Sequence, residues 1–157
     1  MGNLAETRRR GRVLGLDVGD RRIGVAVSDP DRSFALPLNS IDRKLGGEMD
    51  AIAAVVSADD VDEFVVGLPL TLSGETGPQA ESTTAFAQAL EKRFDLPVHL
   101  YDERLSTREA LGRVQDGRRG SGGRRERSRP QADTDALAAS IILQAYLDGQ
   151  RMGPYIP

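Results

Sequence analysis

Three acidic places in this chain share a property: each lies inside, or at the end of, an apolar element. Asp17 interrupts the run from Val13 to Val18, Asp102 and Glu103 close Pro97-Val-His-Leu-Tyr101, and Asp133 and Asp135 open an apolar stretch that reaches Leu147. A carboxylate among apolar neighbours is costly unless a cation or hydrogen bonds neutralise it. Carboxylates that converge without histidine or cysteine suit a hard, oxygen-liganded cation, magnesium or manganese. Two such ions about 3.5–4 Å apart activate a water and stabilise the leaving oxygen of a phosphodiester. The chemistry needs several acids because cations and phosphate must sit in one neutralised cluster.

Each acid also has a plainer reading. Asp133 or Thr134 at a helix start is an N-cap, and Asp135 in the first turn complements the helix dipole. Asp102, beside Arg104, makes a surface ion pair. Asp17 is the hardest to explain away, because its neighbours are so apolar. Adjacent strand residues face opposite sides, so only one of Asp102 and Glu103 can join Asp17, and the spacing does not say which. His99 reads as a satisfied core or surface residue rather than a general base, Tyr101 as a packing residue, and Ser28 and Asp29 as a strand end. The polar loop Thr71–Gln79 either receives a phosphate or is an ordinary surface connection.

These acids need a frame. Val13, Leu14 and Leu16 read as a buried strand, and Ile23-Gly-Val-Ala-Val27 as a second strand folded back through Gly19-Asp20. A third strand is expected over Phe34–Ile41, weakened by Pro37. Leu45, Met49, Ile52, Ala53 and Val56 recur at helical spacing, predicting a helix over 45–56. Phe64-Val-Val-Gly-Leu68 reads as a buried parallel strand. Thr76 and Gln79 are spaced as a capping box for a helix to about Phe94. Pro97–Glu103 is the next strand, and a second box, Ser106-Thr-Arg-Glu109, starts a helix that fades by Gly117. Residues 117–130 contain no apolar side chain and five breakers, which predicts a mobile loop. Ala132–Leu147 is apolar nearly all round and reads as a buried helix. Three strands followed by alternating helix and strand imply an α/β fold, with a mixed sheet carrying helices on both faces.

The 157 residues suffice for one domain with a real core. The expected division is a basic arm over 1–12, a domain over 13–150 and a tail over 151–157. There is no cysteine, which excludes disulfides and thiolate chemistry. No apolar run approaches a membrane span, and Met1 to Arg12 lacks the apolar stretch of a secretory signal; a cytoplasmic protein without membrane contact is expected. The net charge of −3 hides an asymmetry. Arg8, Arg9, Arg10 and Arg12, with Arg118, Arg119, Arg124, Arg125, Arg127 and Arg129, supply nearly half of the 21 lysines and arginines. Such runs are either solvated tails or basic segments that touch phosphates around an acidic centre.

Five blocks in order carry a family resemblance: Gly15-Leu-Asp17-Val-Gly19; Arg22-Ile-Gly-Val-Ala-Val-Ser-Asp29; Val66-Gly-Leu-Pro-Leu70 with Gly74; Asp102-Glu-Arg-Leu-Ser-Thr107; and Asp135-Ala-Leu-Ala-Ala with Ile142-Leu143. Over about residues 12–150 the chain resembles the YqgF/RuvX family, described as Holliday junction resolvases or as nucleases maturing the 5′ end of small-subunit ribosomal RNA precursor. The resemblance implies an RNase H-like fold, in which a three-strand meander precedes βαβ units. It implies Asp17, Glu103 and Asp135 as the catalytic, Mg²⁺- or Mn²⁺-binding acids, and favours Glu103 over Asp102. Residues 117–130 depart from the shorter or more lysine-rich segment common in the family, so no substrate preference follows from them.

The leading expectation is a metal-dependent nuclease acting on structured RNA or branched DNA. Arg21, Arg22 and Arg104 hold the scissile region, while arginines of 8–12 and 118–129, among them Arg118, Arg119, Arg124 and Arg125, carry the flanking backbone. Junction cleavage would call for a two-fold homodimer. The alternative is a nucleic-acid-binding factor without catalysis, in ribosome biogenesis or transcription, which has no need of Asp17. The Asp17-Val-Gly19 hairpin also resembles the phosphate loop of actin-like sugar kinases, but those need two lobes and this length supplies one.

Overall fold

Alternation of side chains along β1 (Arg12–Val18) and β2 (Arg22–Ser28) builds both halves of the core at once. The strands pair antiparallel from Leu14↔Val27 to Val18↔Ile23, with Asp17 opposite Gly24. The Gly19 N–H donates to the Arg22 carbonyl at 2.9 Å, so the turn centres on Asp20-Arg21, one residue later than the expected dipeptide. A computed structural model describes residues 11–71, 73–105 and 133–152. The expected helix from Ser106, the loop 117–130 with Arg118, Arg119, Arg124 and Arg125, and most of the basic arm and the tail lie outside the described residues.

The single strand expected over Phe34–Ile41 is two short ones, β3 (Ala35–Pro37) and β4 (Ile41–Asp42), both antiparallel to β2. Pro37 has no N–H to continue a ladder, and β3 ends on it. The helix expected from residue 45 starts later. Arg43–Leu45 form a 3₁₀ turn, Gly46 and Gly47 follow with φ of 69° and 71°, and α1 spans Glu48–Ala58. Leu45, expected on the packed face, is therefore 85% exposed. Next comes β5 (Val61–Leu68), parallel to β1, and then α2 (Pro78–Phe94). The Thr76–Gln79 box does not form: Pro78 occupies the first helical position, Gly77 becomes the cap, and no side chain caps the helix. β6 (Val98–Asp102) pairs parallel with β5, bringing Asp102 opposite Leu68. Residues 103–105 already take helical backbone, ahead of the expected start at Ser106.

The last helix, α3 (Thr134–Met152), runs further than expected. Asp133 caps it, its Oδ1 accepting from the Ala136 N–H at 3.0 Å and its Oδ2 from the Ser40 N–H at 2.7 Å. Those bonds hold Asp133 below the ordinary carboxylate range against the effect of burial. Among the described residues the strand order is β3-β2-β1-β5-β6, with β4 beside β2. One sheet face, with Leu14, Leu16, Ile23, Val25, Phe64 and Val66, packs on α1 and α2. The other, with Val13, Ala26 and Val65, packs on Ala139, Ile142, Leu143 and Leu147 of α3. The expected mixed sheet with helices on both faces is present. Among the described residues no helix is long and apolar enough to cross a membrane.

Candidate active site

Parity decides which acids meet. Val13, Gly15 and Asp17 share the α3 face of β1, and Asp17 stands near the strand's carboxyl end. Loops beyond the carboxyl ends of parallel strands form the crevice of an open α/β sheet. Opposite Asp17, Gly24 presents no side chain, and the first turn of α3 rests on it. A β-carbon there would lie 1.8 Å from the Asp135 carbonyl oxygen. That seat brings the Asp135 carboxylate near enough for its charge to act on Asp17.

On the other side, Tyr101 of β6 packs edge-on against Tyr146 of α3, with centroids 6.4 Å apart. Two residues on, Glu103 comes out over the same sheet face. Gly67 of β5 leaves it room: a β-carbon at Gly67 would lie 2.7 Å from Glu103 Oε1 and 2.7 Å from Ile142 Cδ1. Glu103 reaches Asp17, and the two carboxyls share a hydrogen bond. Asp102 turns away. Its Oδ1 accepts from the Arg104 N–H at 3.0 Å, capping the helical turn 103–105, and its Oδ2 pairs with Arg104 Nη2 at 2.7 Å. The structure thus brings together Asp17 and Glu103, and gives Asp102 the ion-pairing role of its plainer reading.

Two acids in contact cannot both stay ionised without a cation. Burial raises the Asp17 pKa, the hydrogen bond from Glu103 lowers it, and the charge of Asp135 raises it again. Glu103 is pushed up to about 7, by burial first, then by donating to Asp17, then by the charges of Asp17 and Asp102. The pair keeps a shared proton until pH rises through about 7, the value to which Glu103 is pushed.

The third acid is engaged elsewhere. Asp135 Oδ2 lies 2.8 Å from Arg22 Nε. Among the described residues no three acidic or imidazole side chains stand as a closed metal cage. The donor set nonetheless fits an oxygen-seeking divalent cation. Asp17, Glu103 and Asp135 come from three elements and bring only oxygen.

Of the expected phosphate-binding arginines, Arg21 is exposed at the hairpin tip and Arg22 is paired with Asp135. Arg104 is paired with Asp102, and its Nη1 lies 3.2 Å from where a β-carbon on Gly74 (φ 85°) would be. It thus braces the loop after β5. That loop is tied to itself, with Thr71 Oγ1 and Ser73 Oγ 3.0 Å apart and the Thr71 hydroxyl accepting from the Glu75 N–H at 3.0 Å. Arg12 lies at the far end of β1 and donates to the Ser28 carbonyl at 3.2 Å, away from the acids. Ser28 is fully buried, accepts from the Val13 N–H at 2.9 Å, and ends its strand as expected.

Sequence reasoning missed a second buried acid. Glu63, 9% exposed, accepts from Arg32 Nη1 at 2.9 Å and from the Tyr146 hydroxyl at 2.6 Å, and lies 3.2 Å from His99 Nε2. Burial pushes its pKa up, but Tyr146, Arg32 and His99 together bring it below the ordinary value. This cluster sits at the end of the sheet opposite Asp17 and explains His99 as a satisfied residue. The signal was available: Glu63 lies in an apolar strand as Asp17 does, but the strand was expected to begin at Phe64.

A model of the RuvX family, described as Holliday junction resolvase, matches residues 11–149. A relative from Caldanaerobacter subterraneus subsp. tengcongensis is 43% identical over 141 residues, covering 89% of this chain and 98% of its own. One from Moorella thermoacetica is 45% identical over 138 residues, covering 87% and 94%. Both carry the name "Putative pre-16S rRNA nuclease". Among solved structures, T. thermophilus RuvC in complex with Holliday junction substrate superposes with a TM-score of 0.59 at 19% identity, covering 94% of this chain and 99% of that one. A second Thermus thermophilus RuvC structure gives 0.56 at 16% identity, covering 90% and 96%. At these identities the likeness concerns architecture, which is the expected RNase H-like fold.

Proposed function

The chain belongs to the RuvX family, and from that premise we propose that it is a divalent-cation-dependent nuclease that cuts phosphodiester bonds in structured nucleic acid. The observation that carries this reading is the contact between Asp17 and Glu103 beside Asp135, at the carboxyl-end edge of the sheet. Asp17, Glu103 and Asp135 would hold magnesium or manganese, which would supply the charge that activates a water and steadies the departing oxygen. The protein's own part is to orient the acids and to hold a proton. Gly24 and Gly67 fix the spacing of the acids, partial burial raises the Asp17 pKa, and Glu103 carries the shared proton when no cation is present. Arg21 and Arg22, on the rim, face the phosphates of the strand to be cut. One domain over 13–150 does this work, and the basic segments 1–12 and 117–130 hold flanking phosphates.

The substrate we favour is the 5′ end of 16S ribosomal RNA precursor, in keeping with the names of relatives that align over nearly their whole length. That substrate places the protein in the cytoplasm. Branched DNA is the second reading, favoured by the description of the family, and it would require a two-fold dimer. The test is incubation of a precursor 16S 5′ segment and a four-way DNA junction with Mg²⁺ or Mn²⁺, comparing wild type with Asp17→Asn. Cleavage by wild type alone, with binding kept in the variant, is the expected result. Equal cleavage by both would remove the mechanism, and binding by both without any cleavage would make the protein a non-catalytic binding factor.

A further inference from the structure

We propose that Arg22 is a displaceable counter-ion: it holds Asp135 until a divalent cation claims that carboxylate, and then passes to a phosphate of the nucleic acid. This rests on the nuclease reading above and adds to it a coupling between cation and substrate. Arg22 opens β2 two residues before Gly24, so its side chain lies over the same sheet face as α3. Nε is 2.8 Å from Asp135 Oδ2, with the Arg22 side chain 64% exposed and that of Asp135 34% exposed. So open a pair is weak, because water competes for both charges.

Asp135 also lies close enough to Asp17 for its charge to act there. A cation taken up between these acids therefore competes with the guanidinium for the Asp135 oxygens. The displaced guanidinium would stand on the rim with its donors turned to solvent. The neighbouring alternative is Asp42, the strand partner of Arg22, whose Oδ1 already accepts from the Lys44 N–H at 2.9 Å. Arg43 does not compete for the role, since it is bound to Glu48 at 2.8 Å and to the Gly19 carbonyl at 2.7 Å. Phosphate oxygens match the guanidinium fork bidentately. Cation and phosphate each weaken the same ion pair, so each favours the binding of the other, and the coupling is reciprocal.

Calorimetric titration of the full chain with Mn²⁺ alone tests the first half. Arg22→Gln should bind Mn²⁺ roughly five-fold tighter, the size expected for losing one open competing pair. Asp135→Asn should bind it more weakly, and adding Arg22→Gln to Asp135→Asn should change nothing further. Anisotropy of a labelled four-way junction in Ca²⁺ tests the second half: Arg22→Gln should bind more weakly there, with its salt dependence reduced by about one phosphate contact, and the deficit should shrink in EDTA, where Asp135 still holds Arg22. Unchanged or weaker Mn²⁺ binding in Arg22→Gln overturns the proposal, as does a gain that survives in the Asp135→Asn background. Unchanged junction binding overturns the transfer to phosphate. Wild type that binds no Mn²⁺ overturns this proposal and the cation-dependent reading together. Mn²⁺ binding that needs Asp17 and Asp135 but ignores Arg22 overturns this proposal alone.

Discussion

Gly24 touches the backbone of Asp135: a β-carbon on the glycine would sit 1.8 Å from the carbonyl oxygen of the aspartate and 2.4 Å from its carbonyl carbon. Gly24 is also the cross-strand partner of Asp17. One residue without a side chain thus sets the separation of two acids that are distant in sequence.

Gly24→Ala should therefore act on the site as well as on the fold. Pushing α3 off its seat costs about 1–3 kcal/mol as overpacking, and it carries Asp135 away from Asp17. Gly15→Ala is the comparison, because its β-carbon would lie 2.8 Å from Leu143 Cβ, further along the same helix. Urea denaturation should show both variants destabilised, whereas Mn²⁺ titration should show weakened binding for Gly24→Ala alone. Equal Mn²⁺ affinity in the two variants would contradict the role given to Gly24.

Stability without divalent cations should fall as pH rises. Glu103 moves from an ordinary value of 4.5 to about 7 in the folded chain, so between those values the fold holds a proton that the unfolded chain releases. Its stabilising effect is full below about 4.5 and lost by the time pH has passed about 7. Allowing for partial solvent screening, the loss is about 1–2 kcal/mol. Asp29, Asp102 and Asp133 are shifted downward, so their contributions are lost only at lower pH and do not mask this window. Urea denaturation in EDTA at pH 5 and pH 8 should show the drop in wild type and a smaller one in Glu103→Gln, where burial and Asp135 still raise Asp17. Added Mn²⁺ should restore stability at pH 8.

Asp102 and Glu103 should separate cleanly in activity. Glu103→Gln should slow single-turnover cleavage by more than about 100-fold, beyond what removal of an outer partner of a metal ligand usually costs. Asp102→Ala removes the cap over 103–105 and the partner of Arg104, costing about 1 kcal/mol of stability while cleavage persists. The reverse order of the two rates would mean that the wrong carboxylate has been placed in the site.

The Glu63 cluster should matter to stability and not to cleavage. Arg32→Met leaves Glu63 buried with a charge poorly matched, at a cost of about 3 kcal/mol or more. Tyr146→Phe removes one donor and costs about 1–2 kcal/mol. Denaturant midpoints should fall in that order, with the cleavage rate of the folded protein unchanged for both. A lost rate in Tyr146→Phe would mean that this end of the sheet reaches the site through α3.

Much of the frame was legible because it is local. Apolar alternation in residues 12–28 determines the hairpin, and the cap at Asp133 follows from residue type and position. The errors came where one residue overrode a pattern. Pro78 displaced the Thr76–Gln79 box, and Gly46-Gly47 stopped the apolar spacing of Leu45 from continuing as helix. The choice between Asp102 and Glu103 could not be read from spacing, because it depends on the register of β6 against β5 and on a gap left by Gly67, both long-range. The pairing of Arg22 with Asp135 is of the same kind: it joins the start of β2 to a helix that follows more than a hundred residues later.

The three acids enter the chain in the order Asp17, Glu103, Asp135, and the last rides on a helix that must lie across β1 and β2 to reach the others. In the chain Asp17 precedes the other two by a long stretch, and Glu103 precedes the helix that carries Asp135. Until α3 has docked across β1 and β2 the first two acids lack their third neighbour, so the cluster is completed by the packing of that helix and not by the sheet alone.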